Sequence, residues 1–250
     1  MFPINFLGQN AIILYLLPTA FPFSFKAEKE IDYLRTFKDG QADGVILAGT
    51  VFTDEHREVL ASMPIPVVIA GQDLDGYCSV YHDDYHAMYD MTRAMAGAGR
   101  RNLAFLGVAM QDVAAGKRRY EGYRDAVIDA GLSQSADRHL TAAFSVASGY
   151  EKAAELIGKY PDVDGIVCAT DEIAAGAIRL LRARGIDVPE HILLSGVGDS
   201  DLAGIAGKSM MTIHYHYEKC GEIAASSLLG QILGKPVADK IMLGYELCCN

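Results

Sequence analysis

The sequence predicts an α/β protein of parallel sheets with helices on both faces, and three observations carry that prediction. Short apolar runs of buried-strand type recur along the chain, helical segments of ten or more residues separate them, and glycine or proline punctuates most junctions. With 250 residues, 50% of them apolar and 22% charged, the chain has the length and hydrophobicity for one large domain or two closely joined ones. Global disorder is excluded, because a disordered chain needs low hydrophobicity and high net charge.

The first 25 residues carry no charged side chain, which raises the question of a membrane span or an export signal. The longest apolar run there, Ala11 to Leu17, would rise only about 10 Å as a helix, far short of a bilayer core. Pro18 and Pro22 prevent its regular continuation. Met1 to Asn10 lacks the Lys or Arg that a signal peptide wants. A buried strand is therefore expected at Ala11 to Leu17.

From Ala27 the alternation is regular. Ile31, Leu34 and Phe37 recur at helical spacing, Gly40 can stop that helix, and Gly44 to Ala48 is a short strand-like run. Asp54 to Met63 is helical again until Pro64, and Pro66 to Ala70 is a second strand-like run. Tyr85, Met88, Met91 and Met95 share one face of a helix that opens at Asp83 and ends at Gly97 and Gly99, before a strand over Asn102 to Leu106. Helices follow at Lys117 to Ala130, Gly149 to Lys159 and Asp171 to Arg184, with strands at Gly165 to Ala169 and His191 to Ser195. Sheets of this kind bind ligands beyond the carboxyl ends of their strands. The candidate loops are thus Gly49-Thr50, Gly71 to Asp73, Gly107 to Gly116, Thr170-Asp171 and Gly196 to Asp201.

Charge narrows the partners. The 22 Lys and Arg against 32 Asp and Glu give a net charge of −10, the wrong sign for a broad nucleic-acid surface. Five cysteines without a CxxC pair fit neither a zinc ribbon nor a disulfide scaffold, and free thiols in a reducing cytosol are expected.

Local motifs for catalysis or cofactors fail one after another. Gly207-Lys208-Ser209 resembles the end of a phosphate-binding loop, but Leu202 stands where its first glycine belongs. Gly196-Val197-Gly198 lacks the third glycine of a dinucleotide fingerprint and has Asp201 there instead. His82 and His86 could face one cation, yet no third ligand is specified, and Asp83 or Asp84 is better read as a helix cap. His214 and His216 share a strand face and are read as solvated. Without a nucleophile elbow or a zinc-protease signature, neither an enzyme nor a cofactor or metal is expected.

Two segments carry ligand chemistry. Arg119 lies in the first turn of a helix, where the dipole disfavours a cation, so its placement suggests another task, and its planar donor fork suits two hydroxyls or a carboxylate. After the Gly165 strand, Asp171 is a natural helix cap and Thr170 a donor.

The order of these pieces resembles the effector-binding core of the LacI/GalR family of bacterial transcriptional regulators. The matching stretches are Ala42 to Leu47, Pro66 to Ile69, Val80 with Asp83-Asp84, Gly99 to Gly107, Arg119 to Tyr123, Ala169 to Gly176, Gly185 to Pro189 and Met211 to Ile213. The resemblance implies a periplasmic-binding-protein-like fold of type I, two doubly wound lobes around a cleft, usually dimeric, closing on a small sugar or purine. The implied lobes are residues 1–105 with 213–236, and 106–212 with 237–250. The family's Arg-x-x-Gly-aromatic motif maps to Arg119, Gly122 and Tyr123, its Asn-Asp pair to Thr170 and Asp171, and an aromatic loop position to Phe144. Its Gly-aromatic-Asp is altered to Gly196-Val197-Gly198, similar to sucrose- and maltose-type regulators, with Asp199 displaced by one residue; Ala115 stands at an often polar position.

The family's helix-turn-helix and hinge helix are not visible, and the first lobe is expected to be incomplete. Operator DNA would then be reached only through a helix-turn-helix domain absent from this chain. The resemblance implies a cytoplasmic, homodimeric, sugar-responsive repressor core without membrane contact, a disaccharide or its phosphate being the first expectation for the effector. Arg119 is its polar anchor, Asp171, Thr170, Asp73 and Asp199 are further polar contacts, and Phe144 is a stacking platform. An exported sugar-binding protein of a transport system is the alternative.

Overall fold

The computed structural model describes residues 2–6, 9–14, 27–38, 40, 42–49 and 51–249, with side chains from residue 29 onward. Two positions read from the sequence, the stretch Tyr15 to Leu17 and Thr50, lie outside the described residues. The chain forms two compact units, residues 1–82 with 216–243 and residues 83–215 with 244–250.

The first unit begins with β1 (Phe2–Phe6) and β2 (Gln9–Leu14), an antiparallel pair. Then come α1 (Ala27–Lys38), β3 (Val45–Leu47), α2 (Asp54–Ala61), β4 (Val67–Ala70) and β5 (Cys78–His82). Strands β2 to β5 pair in parallel in chain order. Helix α2 starts at a capping box in which Thr53 accepts from the His56 amide and the His56 ring reaches back to the Thr53 amide.

The second unit opens with α3 (Asp84–Gly97) and β6 (Leu103–Gly107). A π-helix over Val113–Arg118 leads into α4 (Arg119–Asp129), then β7 (His139–Thr141), α5 (Val146–Lys159), β8 (Gly165–Cys168), α6 (Asp171–Ala183), β9 (Leu193–Ser195), α7 (Asp201–Ala206) and β10 (Met210–Tyr215). The chain returns to the first unit for α8 (Tyr217–Ile232) and β11 (Lys240–Leu243), and ends in the second with β12 (Tyr245–Cys248). The second sheet has the order β12-β10-β9-β8-β6-β7, parallel except for its β12 edge.

Strand alternation explains the continuous apolar runs. In the first unit Val45, Leu47, Val67 and Ile69 join Leu34 of α1 and Leu60 of α2 in one core, while Ile46 and Val68 join Ala224 and Leu228 of α8 in another. In the second unit the fully buried Met88, Met91 and Met95 of α3 pack with Leu103 to Leu106 of β6. Burial of each such side chain contributes about 1.5–3 kcal/mol.

Three boundaries differ from the sequence reading. The units divide after His82, Tyr215 and Leu243, not after residues 105, 212 and 236. The cause is packing: α3 shares its core with β6, and β11 pairs in parallel with β5, which holds the chain in the first unit through Leu243. The helix expected from Lys117 is also corrected, since a π-helix capped by Asp112 occupies residues 113–118 and the α-helix starts at Arg119. Among the described residues no helix is long and apolar enough to cross a membrane.

Candidate functional site

The candidate site lies in the second unit, at the carboxyl ends of β6, β8, β9 and β10. Its centre is Arg119, only 8% exposed. The guanidinium Nε donates to Asp84 Oδ1 at 2.7 Å, Nη1 donates to the Ala169 carbonyl at 2.5 Å, and Cζ lies 5.4 Å from the Tyr215 ring centroid. The Tyr215 hydroxyl donates to the same Asp84 oxygen at 2.9 Å. Buried charges hold only when paired and hydrogen-bonded, and this set meets both conditions.

Local sequence delivers each group. Of the two aspartates at the start of α3, Asp83 is the cap, accepting from the His86 amide at 3.1 Å, and Asp84 turns inward to the guanidinium. Gly122, one turn beyond Arg119, lets α4 approach α3: a Cβ there would sit 2.2 Å from the Tyr85 carbonyl oxygen. The π-helix needs Gly116 for a similar reason, since a Cβ would meet the Ala109 carbonyl oxygen at 2.1 Å. Such helices occur frequently at functional sites. Asp112, which caps it through the Ala115 amide at 2.8 Å, is buried, and burial pushes its carboxyl up against the opposing pull of that amide and of Arg119.

A second network adjoins the first. Thr170, not Asp171, caps α6, its hydroxyl accepting from the Ile173 amide at 3.4 Å. Asp171 takes another role from the one read in the sequence. One oxygen accepts from the Ser200 amide and hydroxyl, each at 2.8 Å, and the other from the Thr212 hydroxyl at 2.7 Å. Burial pushes the Asp171 carboxyl up, opposed by those three donors. The carboxylate thereby ties α6 to the β9–α7 loop and to β10. A Cβ at Gly196 would sit 2.3 Å from Asp171 Oδ1, which accounts for glycine there.

Asp199 has φ +48°, a left-handed backbone that Asp tolerates better than most residues. Its amide donates to Thr212 Oγ1 at 3.2 Å, and its half-exposed carboxylate lies 3.0 Å from His214 Nδ1. Thr212 therefore joins Asp199 to Asp171, and Ala169 joins Arg119 to the Thr170 turn. Phe144 is half-buried in the turn before α5, against the core of the same unit. Asp73 belongs to the first unit, where it pairs with Lys240. The Lys240 register partner is Ser79, so this pair sits near the amino ends of β5 and β11 rather than at carboxyl ends. His82 packs edge-on against Tyr217, and His86 pairs with Asp83 at 2.8 Å. Among the described residues no group of three or more His, Cys, Asp or Glu is placed to hold a metal ion.

Sequence reasoning missed Tyr215 and the pairing role of Asp84, and it held Asp112 only as part of the Gly107 to Gly116 loop. Two consecutive aspartates at one helix start were a usable signal, since only one can be the cap. Tyr215 follows Met211 and Ile213 in the buried alternation of β10, which marks it as inward-facing.

Known proteins share this architecture. A periplasmic binding protein-like domain model matches residues 92–247, from within α3 into β12. The sucrose operon repressor of Staphylococcus xylosus is 31% identical over 222 residues, 87% of this chain and 67% of the relative. The solved complex of the transcriptional regulator CelR with cellobiose is similar with TM-score 0.79 and 30% identity, over 88% of this chain and 68% of that one. The trehalose repressor from Escherichia coli gives TM-score 0.77 and 29% identity, over 89% of this chain and 84% of that one. Together the fold, the domain match and these relatives establish that the chain belongs to the LacI family of transcriptional regulators.

Proposed function

We propose that this chain is the effector-binding core of a sugar-responsive transcriptional repressor, closing on a small sugar and so changing the hold of a homodimeric cytoplasmic regulator on operator DNA. DNA contact is assigned to a helix-turn-helix domain. The observation that carries the reading is the buried Arg119 guanidinium, fixed by Asp84 and the Ala169 carbonyl at the strand ends where doubly wound sheets bind ligands. A ligand that binds one conformation better than another shifts the population toward it, and that differential affinity is the regulatory signal.

Within this reading Arg119 donates to effector hydroxyls, Asp199 accepts from them, and Phe144 offers an apolar face to the ring. Thr170 and Asp171, already engaged within the unit, shape the wall of the site, and Asp73 contributes through its tie to Lys240 rather than by direct contact. The relatives are a sucrose operon repressor, a trehalose repressor and a regulator solved with cellobiose, which makes a disaccharide the first ligand class to test.

Calorimetric titration with mono- and disaccharides tests the proposal. One of them is expected to bind the wild-type chain, and Arg119→Ala is expected to abolish that binding while the circular-dichroism spectrum is kept. Unchanged affinity in the variant refutes the assignment.

A further inference from the structure

We propose that the effector is an uncharged sugar and that the second unit selects against anionic ones, sugar phosphates and sugar acids alike, because Asp84 already pairs with its one buried guanidinium and the adjoining loops add Asp112, Asp171 and Asp199. The inference rests on the sugar-effector reading above and sharpens it.

The charges are unequal in number and in commitment. Asp84 lies 2.7 Å from Arg119, so the single buried cation already has its counter-charge. Asp112 feels the same guanidinium, Asp171 closes the neighbouring network, and Asp199 stands half-exposed beside it. Burial pushes the carboxyls of Asp112 and Asp171 up, which eases their protonation. Even with both protonated, and counting the imidazole of His214 beside Asp199 as neutral, Asp84, Arg119 and Asp199 sum to −1. Lys117 and Arg118, just before Arg119, lie on exposed turns of the π-helix, and Arg118 is paired with Glu121 at 3.2 Å.

Hydrogen-bond chemistry points the same way. An ionised carboxylate only accepts, so a wall of carboxylates wants donors. Sugar hydroxyls donate to Asp199 or Asp112 and still accept from Arg119. Phosphate and carboxylate oxygens also only accept, and they would face like charge in a site partly shielded from water.

The test titrates the full chain with sucrose, trehalose, cellobiose and maltose, then with sucrose 6-phosphate, trehalose 6-phosphate and gluconate. The expected result is binding of at least one neutral sugar, with its phosphate at least about tenfold weaker. Asp199→Asn, whose side chain suits the left-handed backbone, is expected to narrow that gap. A phosphate or gluconate that binds as tightly as a neutral sugar, or a gap untouched by Asp199→Asn, overturns the charge selection while leaving a sugar effector in place. Binding of no probe of either charge overturns the sugar-effector reading itself, and the selection with it.

Discussion

Removing the Asp84 carboxylate is expected to destabilise the chain by about 3–5 kcal/mol, the range for a buried ion pair that loses one partner. The size follows from the geometry. One Asp84 oxygen accepts from Arg119 at 2.7 Å and from Tyr215 at 2.9 Å, and the paired side chains are 6% and 10% exposed. Asp84→Ala strips both bonds and leaves the guanidinium without its counter-charge. Asp84→Asn keeps an acceptor oxygen and is expected to cost less, about 1–3 kcal/mol. In the double variant Asp84→Ala with Arg119→Met both charges are gone, so its loss is expected to fall well below the sum of the two single losses. Urea unfolding measures this as a shift in midpoint at unchanged slope. A single-variant loss under about 1 kcal/mol, or strict additivity in the double variant, refutes the idea of a buried, mutually dependent pair.

Burial pushes the Glu30 carboxyl from 4.5 up to about 7, and its neighbour His56, at 3.7 Å, is itself held toward its neutral form by burial. The folded chain keeps a proton there that the unfolded chain loses, so this stabilisation is full below pH 4.5 and is lost as pH rises through about 7; Glu30→Gln is expected to gain about 3 kcal/mol on wild type between pH 4 and pH 8, and a pH-independent difference by thermal unfolding contradicts this. Gly122→Ala places a Cβ 2.2 Å from the Tyr85 carbonyl oxygen, whereas Gly158→Ala meets nothing within 4 Å. The first is expected to lose about 1–3 kcal/mol and to weaken sugar binding, the second to do neither, and equal stabilities would remove the close α3–α4 approach as the cause. Tyr215→Phe keeps the ring beside Arg119 but not the bond to Asp84, with an expected loss of about 1 kcal/mol in urea unfolding; a neutral result shows that the hydroxyl does not support the pair.

The parallel core was legible because its strands are buried on both faces: Val45 to Leu47, Val67 to Ala70 and Gly165 to Cys168 read as unbroken apolar runs. Strand β5 was hidden by Ser79 and His82, and the half-exposed β7, β11 and β12 by their mixed faces. Helix α5 begins three residues before Gly149 because Ser145 caps it, a signal weaker than the glycine. The π-helix left no trace in the hydrophobic pattern, which reports which faces are buried and not which carbonyl each amide meets. Arg119 was singled out for a conflict with the helix dipole that the structure removes, since the π-helix over residues 113–118 runs straight into α4, and its partners were not legible. Asp84 and Tyr215 lie 35 residues before it and 96 after it in the chain, and only the packing of α3 and β10 beside α4 brings them together. Asp73 was read from its place after a strand end; what was not legible is that the crossover containing it carries the chain back to the amino end of β5, where it meets Lys240.

The most direct measurement is a crystal structure of the chain with a bound disaccharide. A sugar hydroxyl is expected within about 3.2 Å of the Arg119 guanidinium, at the carboxyl ends of β6, β8, β9 and β10, with Asp84 still in place on Nε. An ordered sugar elsewhere, with no hydroxyl in reach of Arg119, contradicts the central claim.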